Sequence, residues 1–223
     1  MSSIGSLNET DLHEQLKHVY AGSHGLTEAT VEGFVIDVVR GDELVEVQTS
    51  GLGKLRRKIE GLSGRYRLRI VYPVAVRTRL VKMSDSGEVL SQRRSPKRGR
   101  IESIFRELTS IADLLPNPHV TVEIVLLHAV ERRVADGRGS WRRRGVSIVG
   151  RAVEEIVETA ALRTSSDYLA LLPHLSEPFT NKDLAEASGL DYRTVQPMTS
   201  CFRKMGLIEI ADKKGRVLLY RFA

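Results

Sequence analysis

Three side chains in "FVIDVVRGDELVEVQT", residues 34–49, are of a type and spacing that could do chemistry: Asp37, Glu46 and Gln48. The stretch is otherwise strand-forming, and Asp37 stands between Ile36 and Val38 in a run too apolar for a sheet edge. A carboxylate buried there alone is costly, so it needs a metal ion or a hydrogen-bond donor. The period of two along a strand puts Glu46 and Gln48 on one face. The turn signal "RGDE" folds the Asp37 strand back beside theirs. Two carboxylates beside the Val47 carbonyl are hard oxygen donors of the kind Mg2+ or Mn2+ takes, with positions left for water and phosphate. An ion so held would activate water and stabilise charge on a phosphodiester. The plainer reading of Glu46 and Gln48 is the solvated face of an edge strand.

The elements that must position these groups follow from periodicity. Leu12, Leu16 and Val19 have helical spacing over 9–21, with Asn8 or Thr10 as cap. "GSHGLTE" breaks the chain, strands follow around "RGDE", and Leu55, Ile59 and Leu62 mark a basic helix in "GKLRRKIEGL". "YRLRIVYPVAV" reads as a strand, and "RTRLVKMSDSGEVLSQRR" as two short strands about a turn. A helix is expected over "IESIFRELTSIADLL", a strong strand over "HVTVEIVLLHAVERR", and an amphipathic helix over "IVGRAVEEIVETAALR". The expected fold class is α/β, an αβββα order followed by further strands and helices, in a domain spanning 1–162.

Residues 163–223 have a different grammar. Three short helices, capped at Ser165 or Ser166, Thr180 and Asp191, precede a hairpin whose turn is "ADKKGR". That order predicts a small winged helix-turn-helix domain. Its third helix would lie in the major groove, with Arg193, Thr194 and Gln196 near base edges. Arg203 and Lys204 at its far end, and Lys213, Lys214 and Arg216 on the wing, are placed for phosphate. Pro197 removes a hydrogen bond inside that helix. A protein-binding or dimerising role for this module is the competing reading.

Together with Glu14 on the first helix, Asp37 and the Glu46–Val47–Gln48 triplet resemble the restriction-endonuclease-like, or PD-(D/E)XK, nuclease superfamily over roughly residues 9–75. The resemblance implies an αβββαβ core with a mixed central sheet and Mg2+- or Mn2+-dependent cleavage of DNA. It implies Asp37 and Glu46 as metal ligands, Gln48 as the group orienting water, and Glu14 as assisting through the metal or its waters. The superfamily carries lysine where this chain has Gln48; Lys54 is the nearest replacement cation. The rival, favoured by that exchange, is a DNA-binding transcriptional regulator whose nuclease-like domain is catalytically silent. An interaction scaffold is disfavoured by the charge.

That charge is +6 overall and unevenly spread. Residues 1–53 carry two basic and nine acidic groups, 54–100 carry fifteen and three, and 131–144 carry six and two. Such asymmetry points to an anionic polymer. Arg93, Arg94, Lys97 and Arg98 form a loop that could clamp DNA phosphates, and Trp141 stands among arginines as a stacking residue would. No run of eighteen apolar residues and no signal peptide is seen, and the lone Cys201 reads as core, so a cytoplasmic protein is expected. A homodimer is compatible with these features. His13, His18 and His24 lack zinc spacing and read as ordinary helix-face or loop residues, and "GLGKL" is too short for a phosphate loop.

Overall fold

The computed structural model describes residues 10–141 and 144–223. Helix α1 (Thr10–Ala21) opens the fold, and its Leu12 and Leu16, one turn apart, pack under the sheet. Strands β1 (Leu26–Val31), β2 (Phe34–Arg40) and β3 (Glu43–Val47) form an antiparallel meander. Glu32 and Gly33 both have positive φ, as a two-residue hairpin turn requires. β1 begins inside the segment expected as a break. A 3-10 turn (Leu52–Leu55) and helix α2 (Arg56–Leu62) then cross over to β4 (Arg67–Met83), which runs parallel to β3. Such a parallel return needs a crossover of this kind.

β5 (Val89–Arg94) folds back on the far half of β4, β6 (Val120–Val134) pairs parallel to β4, and β7 (Ser147–Leu162) pairs antiparallel to β6. The result is a seven-stranded mixed sheet in the order β1-β2-β3-β4-β6-β7, with β5 on β4. The fold class is therefore α/β. β7 corrects the amphipathic helix expected over 148–163. Its ladder with β6 slips at three places. Each slip shifts which residues face inward, so the apolar residues depart from a strict period of two and imitate helical spacing.

The helix expected over 101–115 is also corrected. It is a 3-10 turn (Ile101–Ile104), a single turn of α3 (Phe105–Leu108) and a second 3-10 turn (Ala112–Leu114). Thr109 and Ser110 turn their hydroxyls back onto the carbonyls of Arg106 and Glu107. Such local bonds compete with the helical ladder and stop it.

α1 covers one face of the sheet, over Val38, Val45, Val47, Val71 and Val125. The other face, with Ile36, Leu44, Ile70, Val122 and Ile124, is covered by α2, α3 and the chain beyond β7. That chain forms α4 (Ser165–Leu169), α5 (Asn181–Ser188), α6 (Tyr192–Lys204) and the hairpin of β8 (Ile208–Lys214) and β9 (Val217–Phe222). Thr180 caps α5 and Asp191 caps α6, while α4 is capped by Thr164, one residue ahead of the expected serines. α6 lies on α3: the Phe105 and Phe202 rings are 5.1 Å apart, and the Cys201 thiol donates to the Phe105 carbonyl at 3.4 Å.

Pro197 explains how α6 is held. Without an N–H it leaves the Arg193 carbonyl, four residues earlier, without its helical partner. Arg106 fills that vacancy with Nε at 3.2 Å, while its Nη2 reaches Asp191 Oδ1 at 3.3 Å and Thr194 Oγ1 at 2.9 Å. The imino acid in mid-helix thus makes a socket for an arginine from the sheet-bound part of the chain.

Candidate functional site

β2 and β3 pair from Arg40↔Glu43 back to Val38↔Val45 and then part. The next pair would join Asp37 to Glu46. Instead the Val47 N–H donates to Asp37 Oδ2 at 2.8 Å. On β1 the distortion continues: Glu28, between the Thr27↔Val38 and Ala29↔Ile36 pairs, has φ of 54°. β2 changes face at this point, since Ile36 packs with Leu44 on the α2 side and Val38 with Val45 on the α1 side. Asp37 stands at the crossing, which is why a carboxylate fits in an otherwise apolar run.

Its partners come from α1. His13 Nε2 lies 3.3 Å from Asp37 Oδ2, and His13 Nδ1 lies 3.5 Å from Glu14 Oε1. Burial alone would raise the Asp37 carboxyl, but the His13 contact and the Val47 N–H hold it below its ordinary value. The same contact raises His13. Glu14 reaches neither Asp37 nor Glu46; Lys17, buried to 3% exposure, donates to it and to Glu28, each at 2.8 Å. Lys17 holds the Glu14 carboxyl low.

Glu46 is held from α2. It is 2% exposed, and Lys58 Nζ of α2 sits 2.6 Å from its Oε1 while also donating to the Val35 carbonyl at 2.6 Å. Burial raises the Glu46 carboxyl, the Asp37 charge adds to that, and Lys58 only partly offsets them. The cation beside Glu46 is Lys58, not Lys54, which is exposed in the 3-10 turn before α2. The signal was available: a buried Glu46 demands a cation, and Lys58 adjoins the buried Ile59. Gln48, half-buried just past β3, continues the pairing to β4 through its N–H to the Val71 carbonyl at 2.9 Å. Zinc spacing alone passes over His13, whose partner Asp37 lies 24 positions along the chain.

Asp37, Glu46 and the Val47 carbonyl are hard oxygen donors, of the kind a Mg2+ site uses. Among the described residues no third His, Cys, Asp or Glu completes a ligand group with them. Both carboxylates are already engaged, Asp37 by His13 and the Val47 N–H and Glu46 by Lys58.

The cationic residues divide into three groups. Arg93 and Arg94 are exposed on β5, while Lys97 and Arg98 line a cleft of about 910 Å³ between the sheet and α6. On α6, Arg193, Gln196 and Arg203 are exposed along one side. Thr194 is 6% exposed and occupied by Arg106, so it is closed to base edges, and Lys204 Nζ caps the Thr109 carbonyl at 2.6 Å. Thr194 is thus a docking group, while Lys204 is exposed and spends one bond on that carbonyl. Lys213, Lys214 and Arg216 are exposed at the β8–β9 tip. Trp141 is exposed, and the two arginines after it lie outside the described residues.

Residues 10–163 match the family described as "Domain of unknown function (DUF8091)", and the chain belongs to that family. A protein of Treponema pallidum (strain Nichols), described as "Uncharacterized protein", is 33% identical over 222 residues, covering 98% of this chain and 87% of the relative. No solved structure matches the chain. No helix among the described residues is long and apolar enough to cross a membrane.

Proposed function

We propose that this chain is a Mg2+- or Mn2+-dependent DNA nuclease with a restriction-endonuclease-like core and a C-terminal winged helix. The observation that carries the reading is that Asp37, Glu46 and Lys58 stand within electrostatic reach of one another where β2 and β3 part. Residues 10–83 follow the order helix, three antiparallel strands, helix, parallel strand, which is the order the superfamily core requires. Lys58 supplies from α2 the cation that Gln48 cannot. For the second module, support lies in the order α4, α5, α6 and hairpin, with a polar exposed stripe on α6 and a basic hairpin tip.

Asp37, Glu46 and the Val47 carbonyl would hold the ion. When bound it supplies Lewis-acid stabilisation of phosphoryl charge and a water of lowered pKa. Lys58, fixed by Glu46 and the Val35 carbonyl, presents an ammonium to the phosphoryl oxygens where negative charge grows. Gln48 can orient the water through its side-chain amide. In the hydrolysis, water oxygen bonds to phosphorus, the bond from phosphorus to the leaving sugar oxygen breaks, and the water proton passes to that oxygen or to solvent.

One observation favours the silent regulator: both carboxylates already have partners, His13 and Val47 N–H on Asp37 and Lys58 on Glu46. The deciding assay incubates the purified chain with linear, branched and single-stranded DNA in Mg2+ or Mn2+. The nuclease reading expects cleavage that falls at least a hundredfold in Glu46→Gln and in Asp37→Asn. Tight binding of one specific duplex with no substrate cut establishes the regulator instead.

A further inference from the structure

The cleft of about 910 Å³ is a concavity whose chemistry the proposed site does not use, and neither Asp37 nor Glu46 lines it. It runs from Thr49, one residue past Gln48, along Tyr72 and Pro73 of β4 to the start of α6. Its outer wall is the strap formed by residues 95–100. The strap is pinned to β4 at both ends, by the Ser95 N–H on the Thr78 carbonyl at 2.8 Å and the Gly99 N–H on the Ala75 carbonyl at 2.9 Å. A Cβ on Gly99 would lie 2.6 Å from Val74 Cγ1 and 2.7 Å from the Ala75 carbonyl oxygen, so only glycine allows this close approach. Lys97 and Arg98, between those anchors, are carried on a fixed support.

The charge along the cleft is unevenly answered. Arg100 pairs with Glu102, Arg106 with Asp191, and both Arg133 and Arg151 with Glu131. Lys97 and Arg98 have no side-chain hydrogen bond or ion pair among the described residues. Two cations without acids, on a strap tied to β4 at both ends, are placed to receive an anion. Beside them Tyr72 is half-buried, and burial followed by the Glu107 charge pushes its phenol up to about 12, so the ring stays neutral.

Shape selects the anion. Roughly 300–1,000 Å³ is the usual range for small-ligand pockets. A duplex, whose major groove alone is about 12 Å wide, does not enter such a space. Paired cations beside an aromatic face are the elements that bind single strands, with phosphates on the charges and a base on the ring.

We infer that the cleft binds a single strand of DNA, with its phosphates on Lys97 and Arg98 and a base against Tyr72. This deepens the nuclease reading and rests on it for the substrate class: DNA with a single-stranded end, led past Thr49 toward the β2–β3 junction.

The test is fluorescence anisotropy in chelator, so that no cutting is needed, using a labelled single-stranded 12-mer and a hairpin duplex. Lys97→Ala/Arg98→Ala should weaken single-strand binding about tenfold or more and reduce the salt slope by about 1.4, at roughly 0.7 per phosphate contact. Duplex affinity should stay within about twofold. Tyr72→Leu should weaken the single strand about tenfold, while Tyr72→Phe, which keeps the stacking face, should leave it unchanged. Lys213→Ala/Lys214→Ala should show the reverse selectivity, losing duplex and sparing the single strand. Thermal melting checks that each variant is folded.

An unchanged single-strand slope in the Lys97/Arg98 variant overturns the inference, as does equal loss of both DNA forms. Full competition by a mononucleotide overturns it too, in favour of a small-ligand pocket. The nuclease reading fails separately: if nothing is cut in Mg2+ yet the cleft variants lose single-strand binding, the cleft stands and the catalytic assignment falls. Cleavage with unaltered binding in the cleft variants sinks the cleft alone.

Discussion

The β2–β3 junction and the strap over the cleft are both charged, and they treat charge in opposite ways. At the junction every carboxylate is answered from within: Asp37 by His13 and the Val47 N–H, Glu46 by Lys58. On the strap the backbone is pinned while the side chains of Lys97 and Arg98 are left for something else. Charges that neutralise each other are part of the fold and are missed by the fold when removed. Charges held in place but unanswered contribute little to stability and are available to a ligand. The contrast separates charges that the fold has already paired from charges that it has left open.

The most direct way to break the comparison is Lys58→Met. It strands the buried Glu46 carboxylate, and breaking a buried pair in this way costs about 3–5 kcal/mol. For a chain of this size that lowers Tm by roughly 10 °C or more in calorimetry. Glu46→Gln combined with Lys58→Met should recover most of the loss, because the orphaned charge is gone. Lys97→Ala/Arg98→Ala should move stability by no more than about 0.5 kcal/mol. If the strap double variant destabilises as much as Lys58→Met, the division between the two regions is wrong.

A middle-sized effect concerns the socket on α6. Arg106→Ala removes hydrogen bonds to the Arg193 carbonyl and Thr194 and should cost about 1–2 kcal/mol in denaturant unfolding. Pro197→Ala restores the N–H that the Arg193 carbonyl lacks, so it should be more favourable in the Arg106→Ala background than in the wild type. Additive effects in that cycle would show that the arginine does not substitute for the missing helical bond.

The smallest effect is a pH dependence at the junction. His13 is raised above its ordinary 6.5, so its contribution is complete below that value and is lost as the pH rises through the folded pKa. Asp37 is lowered from 3.8, so its contribution is present above 3.8 and is lost as the pH falls through the folded pKa. The stability difference between wild type and His13→Gln should therefore be largest between these limits and fade at alkaline pH, reaching at most about 1 kcal/mol for a partly exposed pair. A difference that grows above neutral pH would contradict the pairing.

Local signals were legible in the sequence: the α1 stripe of Leu12 and Leu16 and the Thr180 and Asp191 caps depend on neighbours in the chain. The strandedness of β7 was not, because its bulges against β6 erase the period of two and leave a helix-like pattern. Asp37 could be recognised as needing a partner, since its apolar setting is local. The identity of that partner could not, because His13 arrives from α1 once the sheet has formed. Lys58 and Lys54 are four residues apart, but Lys54 lies in the 3-10 turn before α2 and only Lys58, on α2 itself, meets Glu46. Thr194 was assigned to DNA because Arg106, which occupies it, lies 88 positions away in the chain.

Cys201 turns the α3–α6 seam into its own recorder. Burial pushes its thiol up to about 12, so at neutral pH hardly any of it is the reactive thiolate. A thiol reagent in solution therefore scarcely touches the closed protein, and modification proceeds through the moments when α6 lifts from Phe105 and the thiol meets water. The labelling rate, divided by that of a free thiol, becomes a clock for detachment of the C-terminal helices. With one cysteine in the whole chain, that clock needs no engineering and has no second hand to confuse it.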